Sequence, residues 1–332
     1  MNRLFLTFDY EIFFAESGTV ERSLLEPTMA LSNLLKRWGI TATFFVDVLY
    51  LERLAREDPQ GAGLVTQQLR ALIANGHRLE LHLHPHWLDA VYHSGTWHFP
   101  SYTHYRLHSL HDEEIRQLFI SGIDLIERIA QRETSNYKVT AFRGGGWCIQ
   151  PFSRLLPAFR DCGLCIDSSI GYGMGGTSPT HAFDFTTAPN KRFYRFADDP
   201  LHEDSEGTFF EAAVTTYFCP PHWRLHERLE RYLKNCAAYG DGRGLRTDIA
   251  DRKWTQIMEV IRPRRRFLSL DGCYGYSALK VLDGREDAVL VSHPKLISPY
   301  SLTCLEKLVT AGRYRFALLT PSELDKGPIQ DR

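Results

Sequence analysis

Residues 4–10, LFLTFDY, are apolar at nearly every position and read as a strand buried on both faces. Residues 27–38 switch to helical apolar spacing and stop at Gly39. The β-branched and aromatic run 40–46, ITATFFV, returns to strand character. A helix over 63–75 closes at Gly76, a strand follows at 79–84, and 111–132 spells a long amphipathic helix with acids in its first turn. The second half continues with a strand at 138–142, a helix at 152–162 and strands at 164–168, 208–216 and 288–292. It ends with a helix at 300–309 and a strand at 315–319. Repeated strand-then-helix units predict a parallel sheet covered by helices, and about seven of them favour a closed barrel over an open sheet. Two stretches interrupt the pattern: 87–109, rich in His, Tyr and Trp, and 224–266, helical in spacing and basic. Both read as insertions around the mouth of a single domain spanning 1–332, where loops carry specificity.

Composition narrows the class. A hydrophobic share of 43% over 332 residues supports a well-buried core. Lys and Arg number 39 against 40 acids, and no basic stripe points to nucleic acid as a partner. The seven cysteines are odd in number and widely spaced, which argues against a disulfide framework. Cys162 and Cys165 form a lone CxxC and read as structural thiols. No apolar run of about 18 residues offers a membrane span. The apolar start is broken by Asp9 and Glu11 with no small-residue cleavage site after it, so a cytoplasmic protein is expected. Oligomeric state is not legible.

Nine of the 14 histidines lie between His77 and His111, densest in GHRLELHLHPHW from Gly76 to Trp87. Strand side chains alternate faces, so Leu79, Leu81 and Leu83 should meet the helices while Glu80, His82 and His84 point inward. Pro85 stops the ladder and leaves His86 in the loop past the strand's C-terminal end, where barrels place active sites. Asp9 and Glu11, two apart at the end of the first strand, share a face. Two buried carboxylates need a cation or a protonation role to offset their desolvation. Histidine with carboxylate is the ligand set of a catalytic zinc-type centre, so a metal-dependent hydrolase is the leading expectation.

At these residues the chain resembles the polysaccharide deacetylases, the NodB-homology carbohydrate esterases, whose fold is an irregular (β/α)7 barrel. Thr7-Phe8-Asp9-Tyr10-Glu11 stands where the family has T-F-D-D-G. Gly76-His77 followed by His82-Leu83-His84-Pro85-His86 stands for its histidine motif, and Phe142-Arg143-Gly144-Gly145-Gly146-Trp147 for its arginine motif. Asp167-Ser168-Ser169 matches D-x-S, and Val289-Leu290-Val291-Ser292-His293-Pro294 matches the apolar strand ending in a catalytic histidine. The five occur in family order from residue 7 to 294. Tyr10 replaces the family's second aspartate. The resulting FDxE form is similar to a subset in which the carboxylate two residues after the base becomes a metal ligand, a subset that also contains metal-independent amide hydrolases.

The resemblance implies a divalent metal, zinc, between Glu11, His82 and His86, lowering the pKa of water from about 16 toward roughly 7. Asp9 would be the general base and His293 the acid that protonates the departing amine. Arg143 would hold Asp9 ionised and Asp167 would favour protonated His293. Tyr10, His84 and Trp147 fall to substrate contact, with His84 also a rival ligand because His-x-His chelates metals. The implied substrate is an N-acetylated amino sugar of a surface polysaccharide or lipopolysaccharide precursor. A metal-free hydrolase of a non-sugar or cyclic amide, and a non-catalytic carbohydrate-binding relative, are the alternatives.

Overall fold

The structure is a computed structural model, described for residues 1–178, 180–233, 235–244, 264–284 and 286–326. The strands are β1 (Asn2–Tyr10), β2 (Thr43–Asp47), β3 (Arg78–Leu83), β4 (Val91–His93), β5 (Thr96–His98), β6 (Ala141–Gly144), β7 (Ile166–Asp167) and β8 (Gly175–Thr177). They continue with β9 (Ala182–Asp184), β10 (Phe193–Phe196), β11 (Phe209–Ala212), β12 (Thr216–Cys219), β13 (Arg264–Phe267), β14 (Ala288–Ser292) and β15 (Tyr314–Ala317). The helices are α1 (Glu26–Arg37), α2 (Val48–Glu57), α3 (Pro59–Ala74), α4 (Asp112–Ala130), α5 (Leu156–Cys162), α6 (Pro221–Leu233), α7 (Gly275–Val281), α8 (Pro299–Thr310) and α9 (Pro321–Leu324).

Seven strands pair in parallel in the order β11-β7-β6-β3-β2-β1-β14, as the alternating units predict. β10 adds antiparallel to β11, and β15 runs beside the first half of β1 while β2 takes the second half. The expected irregular barrel takes the form of a curled parallel sheet whose two edges meet through irregular chain. Thr215 N donates to Val289 O, Leu268 N to Thr215 O and Val291 N to Leu268 O, at 3.0, 2.7 and 3.0 Å. The predicted strand at 208–216 therefore breaks into β11 and β12, because the chain must leave the sheet to make this seam.

Alternation sorts the two cores. Leu4, Leu6, Phe8 and Tyr10 of β1 join Leu79, Leu81 and Leu83 of β3 in the layer beneath the helices. Phe5, Phe45, Ala141, Ile166, Phe210 and Val289 fill the interior, closed at the base by Leu319 and Leu324. Apolar residues thus plug the end where the parallel strands begin, and polar residues collect where they finish. The helix expected at 63–75 begins at Pro59, with Asp58 accepting from Gly61 N as its cap, and α2 precedes it unforeseen.

The first expected insertion contains the β4–β5 hairpin, which turns at Ser94 and Gly95, both with positive φ. Trp87, Trp97 and Phe99 pack there with Phe14 against the mouth. The second expected insertion supplies α6 and β13; residues 245–263 of that stretch lie outside the described residues. All seven cysteines are free thiols.

Candidate active site

β1 places the first pair. With Phe8 and Tyr10 committed to the helical side, Thr7, Asp9 and Glu11 face the interior and all are buried. β6 delivers Arg143 opposite them, in register with His82 of β3. Its Nη1 donates to Asp9 Oδ1 at 2.6 Å, Nη2 to Thr7 Oγ1 at 2.9 Å and Nε to the Ser168 carbonyl at 2.8 Å. The guanidinium also lies over the Phe45 ring, 4.1 Å from its centroid. Burial raises the Asp9 carboxyl, but Arg143, His82 and His293 outweigh it and hold the group below the ordinary carboxylate value. Asp9 is ionised, aimed and fixed.

Glu11 sits beside it. The Nε2 atoms of His82 and His84 lie 3.3 and 2.9 Å from Glu11 Oε2, yet that oxygen has no well-formed hydrogen bond. One ligand atom from each of the three buried residues falls within 4.8 Å of the others, close enough to share one divalent ion. His82 Nδ1 lies 2.7 Å from the Arg143 carbonyl, a contact that orients Nε2 toward Glu11 in the way metal ligands are commonly held. The residues fit a metal.

The other Glu11 oxygen accepts from Lys295 Nζ at 2.8 Å, and the same ammonium reaches the Ile12 carbonyl at 2.8 Å. Burial would raise Glu11, but Lys295 and His84 lead the groups that carry it well below its usual value. Burial lowers His84 to about 4 even against Glu11. For His82 the carboxylates Glu11 and Asp9 overcome burial and raise it to about 9.

His86, expected as a ligand, lies outside this group of three, its ring centroid 5.1 Å from that of His84. The 3-10 turn Pro85–Asp89 swings it among Phe14, Phe99 and Tyr105, where both ring nitrogens are buried without a hydrogen bond. The ring nearest Glu11 beside His82 is that of His84.

His293 stands just past β14, its Nε2 3.6 Å from Asp9 Oδ2 and 3.7 Å from Glu11 Oε1. Its partner is Asp271: Oδ2 lies 2.8 Å from Nδ1, and Oδ1 accepts from the His293 backbone N–H at 2.9 Å. Burial alone would lower this imidazole, but Asp271, Asp9 and Glu11 raise it above the ordinary value. Asp167, expected to serve His293, accepts from Ser169 Oγ and N instead and is paired in register with Glu211. Burial, then Asp167, pushes the Glu211 carboxyl well above its ordinary value.

Two expected substrate contacts divide. Tyr10 points away from the mouth into the helical layer, its hydroxyl donating to Gln68 Oε1 at 2.8 Å. Trp147, at positive φ, stacks on Phe267 with centroids 4.4 Å apart and stands 5.9 Å from the Arg143 guanidinium, forming one wall. Three residues were not anticipated. Asp271 follows the strand-like FLSL run, and Lys295 lies two residues past His293. Asp47 ends β2 facing inward and accepts from Trp87 Nε1 at 2.5 Å; burial raises its carboxyl to about 7.

No protein-family profile matches the chain, and no curated protein matches it. Among solved structures it resembles a 4-alpha-glucanotransferase from Thermococcus litoralis at TM-score 0.50 and 13% identity, over 99% of this chain and 41% of that one. A Mycobacterium smegmatis protein assigned as a polysaccharide deacetylase aligns at 0.48 and 13%, over 98% and 88% of the two chains. The catalytic domain of a peptidoglycan N-acetylglucosamine deacetylase from Eubacterium rectale aligns at 0.42 and 12%, over 97% and 90%. At such identities the likeness is one of fold.

Proposed function

We propose that the protein is an amide hydrolase that removes the N-acetyl group of an amino sugar, acting in the cytoplasm on a surface polysaccharide or lipopolysaccharide precursor. The observation that carries this reading is the convergence of Asp9, Glu11, His82, His84 and His293 on one interior point at the finishing ends of β1, β3 and β14. It is supported by the order of the five deacetylase-like motifs along the sequence.

Glu11, His82 and His84 would hold the metal, with His86 within one turn of chain as a further imidazole. Zinc suits this nitrogen and oxygen set, and when bound it would supply Lewis acidity toward the amide carbonyl. Asp9, kept ionised by Arg143, takes a proton from the attacking water. His293 Nε2, kept protonated by Asp271, gives one to the departing amine, so environment separates the two proton-transfer roles. Trp147 walls the side of Arg143.

A second reading draws on Lys295, whose ammonium already neutralises Glu11 at 2.8 Å. It is hydrolysis of an amide, non-sugar or cyclic, without a metal. Acetate release from N-acetylated sugar nucleotides and glycolipid precursors, beside hydrolysis of non-sugar and cyclic amides, each with and without added zinc, tests both. Zinc-dependent acetate release that His82→Ala abolishes is the expected result. Hydrolysis of a non-sugar or cyclic amide that is indifferent to zinc and to chelator selects the second reading, and inertness toward every substrate overturns both.

A further inference from the structure

α6 is built inside out. Leu225, Leu229 and Leu233, spaced by four, form one stripe and are 54%, 51% and 75% exposed, with Tyr232 beside them at 86%. The opposite face buries charge: Glu227 accepts from Arg266 Nη1 at 2.8 Å and from Ser277 Oγ. A helix that turns leucines outward while ion-pairing inward is oriented for something other than its own core. Phe218 on neighbouring β12 extends the apolar surface at 62% exposure. Among the described residues nothing covers it.

Charge identifies the occupant. Residues 216–233 and 264–267 carry six arginines against two glutamates, in a chain whose net charge is −1. Arg228 is exposed on α6 at the flank of the leucine stripe, Arg264 is exposed on β13, and Arg265 lies over the Phe218 ring at 4.2 Å. Leucines and an aromatic flanked by arginines match a lipid surface with anionic headgroups, into which apolar side chains sink while guanidinium groups meet phosphate. The surface also belongs to the mouth, because β13 ends in Phe267, the residue on which Trp147 stacks.

We infer that α6 and the β12–β13 ribbon dock the protein on an anionic membrane surface, with the mouth of the sheet held beside it. This goes beyond the proposed reaction, and vesicle binding reads it without any turnover.

The test is co-sedimentation of the full chain with vesicles of phosphatidylglycerol and phosphatidylethanolamine, against vesicles of phosphatidylcholine alone. The expected result is at least roughly tenfold stronger partition to the anionic vesicles at low salt, collapsing at high salt. Leu225→Gln/Leu229→Gln/Leu233→Gln should weaken binding by about tenfold or more, and Arg228→Gln severalfold, both with unchanged melting temperature. Wild type left in the supernatant with every vesicle would overturn the inference. So would a leucine variant that binds as wild type does, or one that turns a dimer into a monomer, since the face would then join two copies.

Discussion

Two buried polar sets, one at each end of β3 and its neighbouring strands, end in opposite conditions. Near the start of β3 Glu80 is saturated: it accepts from Arg78 Nε at 2.6 Å and from the Thr140 and Ala141 N–H groups at 2.8 Å each. Near its finish His84 Nδ1, both nitrogens of His86, Glu11 Oε2 and Asp47 Oδ1 are buried without a hydrogen bond. An unsatisfied buried polar atom costs about 1–3 kcal/mol. At the base His77 Nε2 alone of the His77 and Glu80 polar atoms goes unpaired, whereas the mouth accumulates the cost over five atoms. Uncompensated polarity concentrated at one end is the signature of a site that awaits a ligand, and largely paired polarity at the other is architecture.

The widest separation between the two ends is catalytic. Asp9→Asn should lower kcat by about 10²–10⁴, the usual worth of a positioned proton acceptor, while the melting temperature holds or rises as a buried charge is relieved. Stopped turnover with an intact fold is the expected outcome of paired activity and thermal-melt assays. Lys295→Met sharpens the same point. Equilibrium dialysis against zinc should show retained or tighter binding under the metal reading, because the carboxylate loses a competing cation, whereas under the metal-free reading activity disappears with no zinc bound.

Next in size, and opposite in kind, is Glu80→Ala. It strands Arg78 and two backbone N–H groups, and should cost about 3 kcal/mol of stability by denaturant titration. The kcat of the folded fraction should stay within about twofold of wild type. A large loss of kcat without loss of stability would erase the distinction between the ends.

Asp271→Asn comes third. His293 is held above the ordinary imidazole value chiefly by Asp271 acting against burial, and as an acid it works below that pKa. The alkaline limb of kcat/KM should therefore move to lower pH, with a loss of about tenfold at pH 8 and a smaller one at pH 6. A uniform loss at every pH would make Asp271 a packing group.

These contrasts also mark what the chain discloses before folding. The parity of Leu79, Leu81 and Leu83 against Glu80, His82 and His84 is written in period two, and so is that of Asp9 and Glu11; both survive in the structure. Parity ends at a strand's last residue. Past Pro85 the direction of His86 depends on a 3-10 turn and an aromatic pocket assembled from distant chain, so the spacing of His82 and His86 misplaces the nearest ring. Asp271 is hidden for a related reason: it follows the irregular seam through Leu268, a short strand-like run that joins no ladder and so does not mark the end of a strand. Tyr10 was drawn to the mouth by its motif, although alternation alone sends it outward between Asp9 and Glu11.

The smallest effect belongs to a histidine at the base, which tests whether imidazoles there are architecture too. His77 Nδ1 accepts from the Ala42 N–H at 3.1 Å, and burial lowers its pKa to about 4. A folded-state value below the unfolded value of about 6.5 means that the unfolded chain binds the extra proton first. Stability is therefore undiminished above pH 6.5 and declines as pH falls from there toward about 4, where the folded protein itself takes up the proton and loses the Ala42 bond. At pH 6 the loss should be a little under about 1 kcal/mol. His77→Asn, which keeps an acceptor for Ala42 N–H but cannot titrate, should flatten this part of the stability curve. If its slope between pH 7.5 and 6 matches wild type, the protons come from elsewhere, with the imidazoles of the mouth as the first candidates.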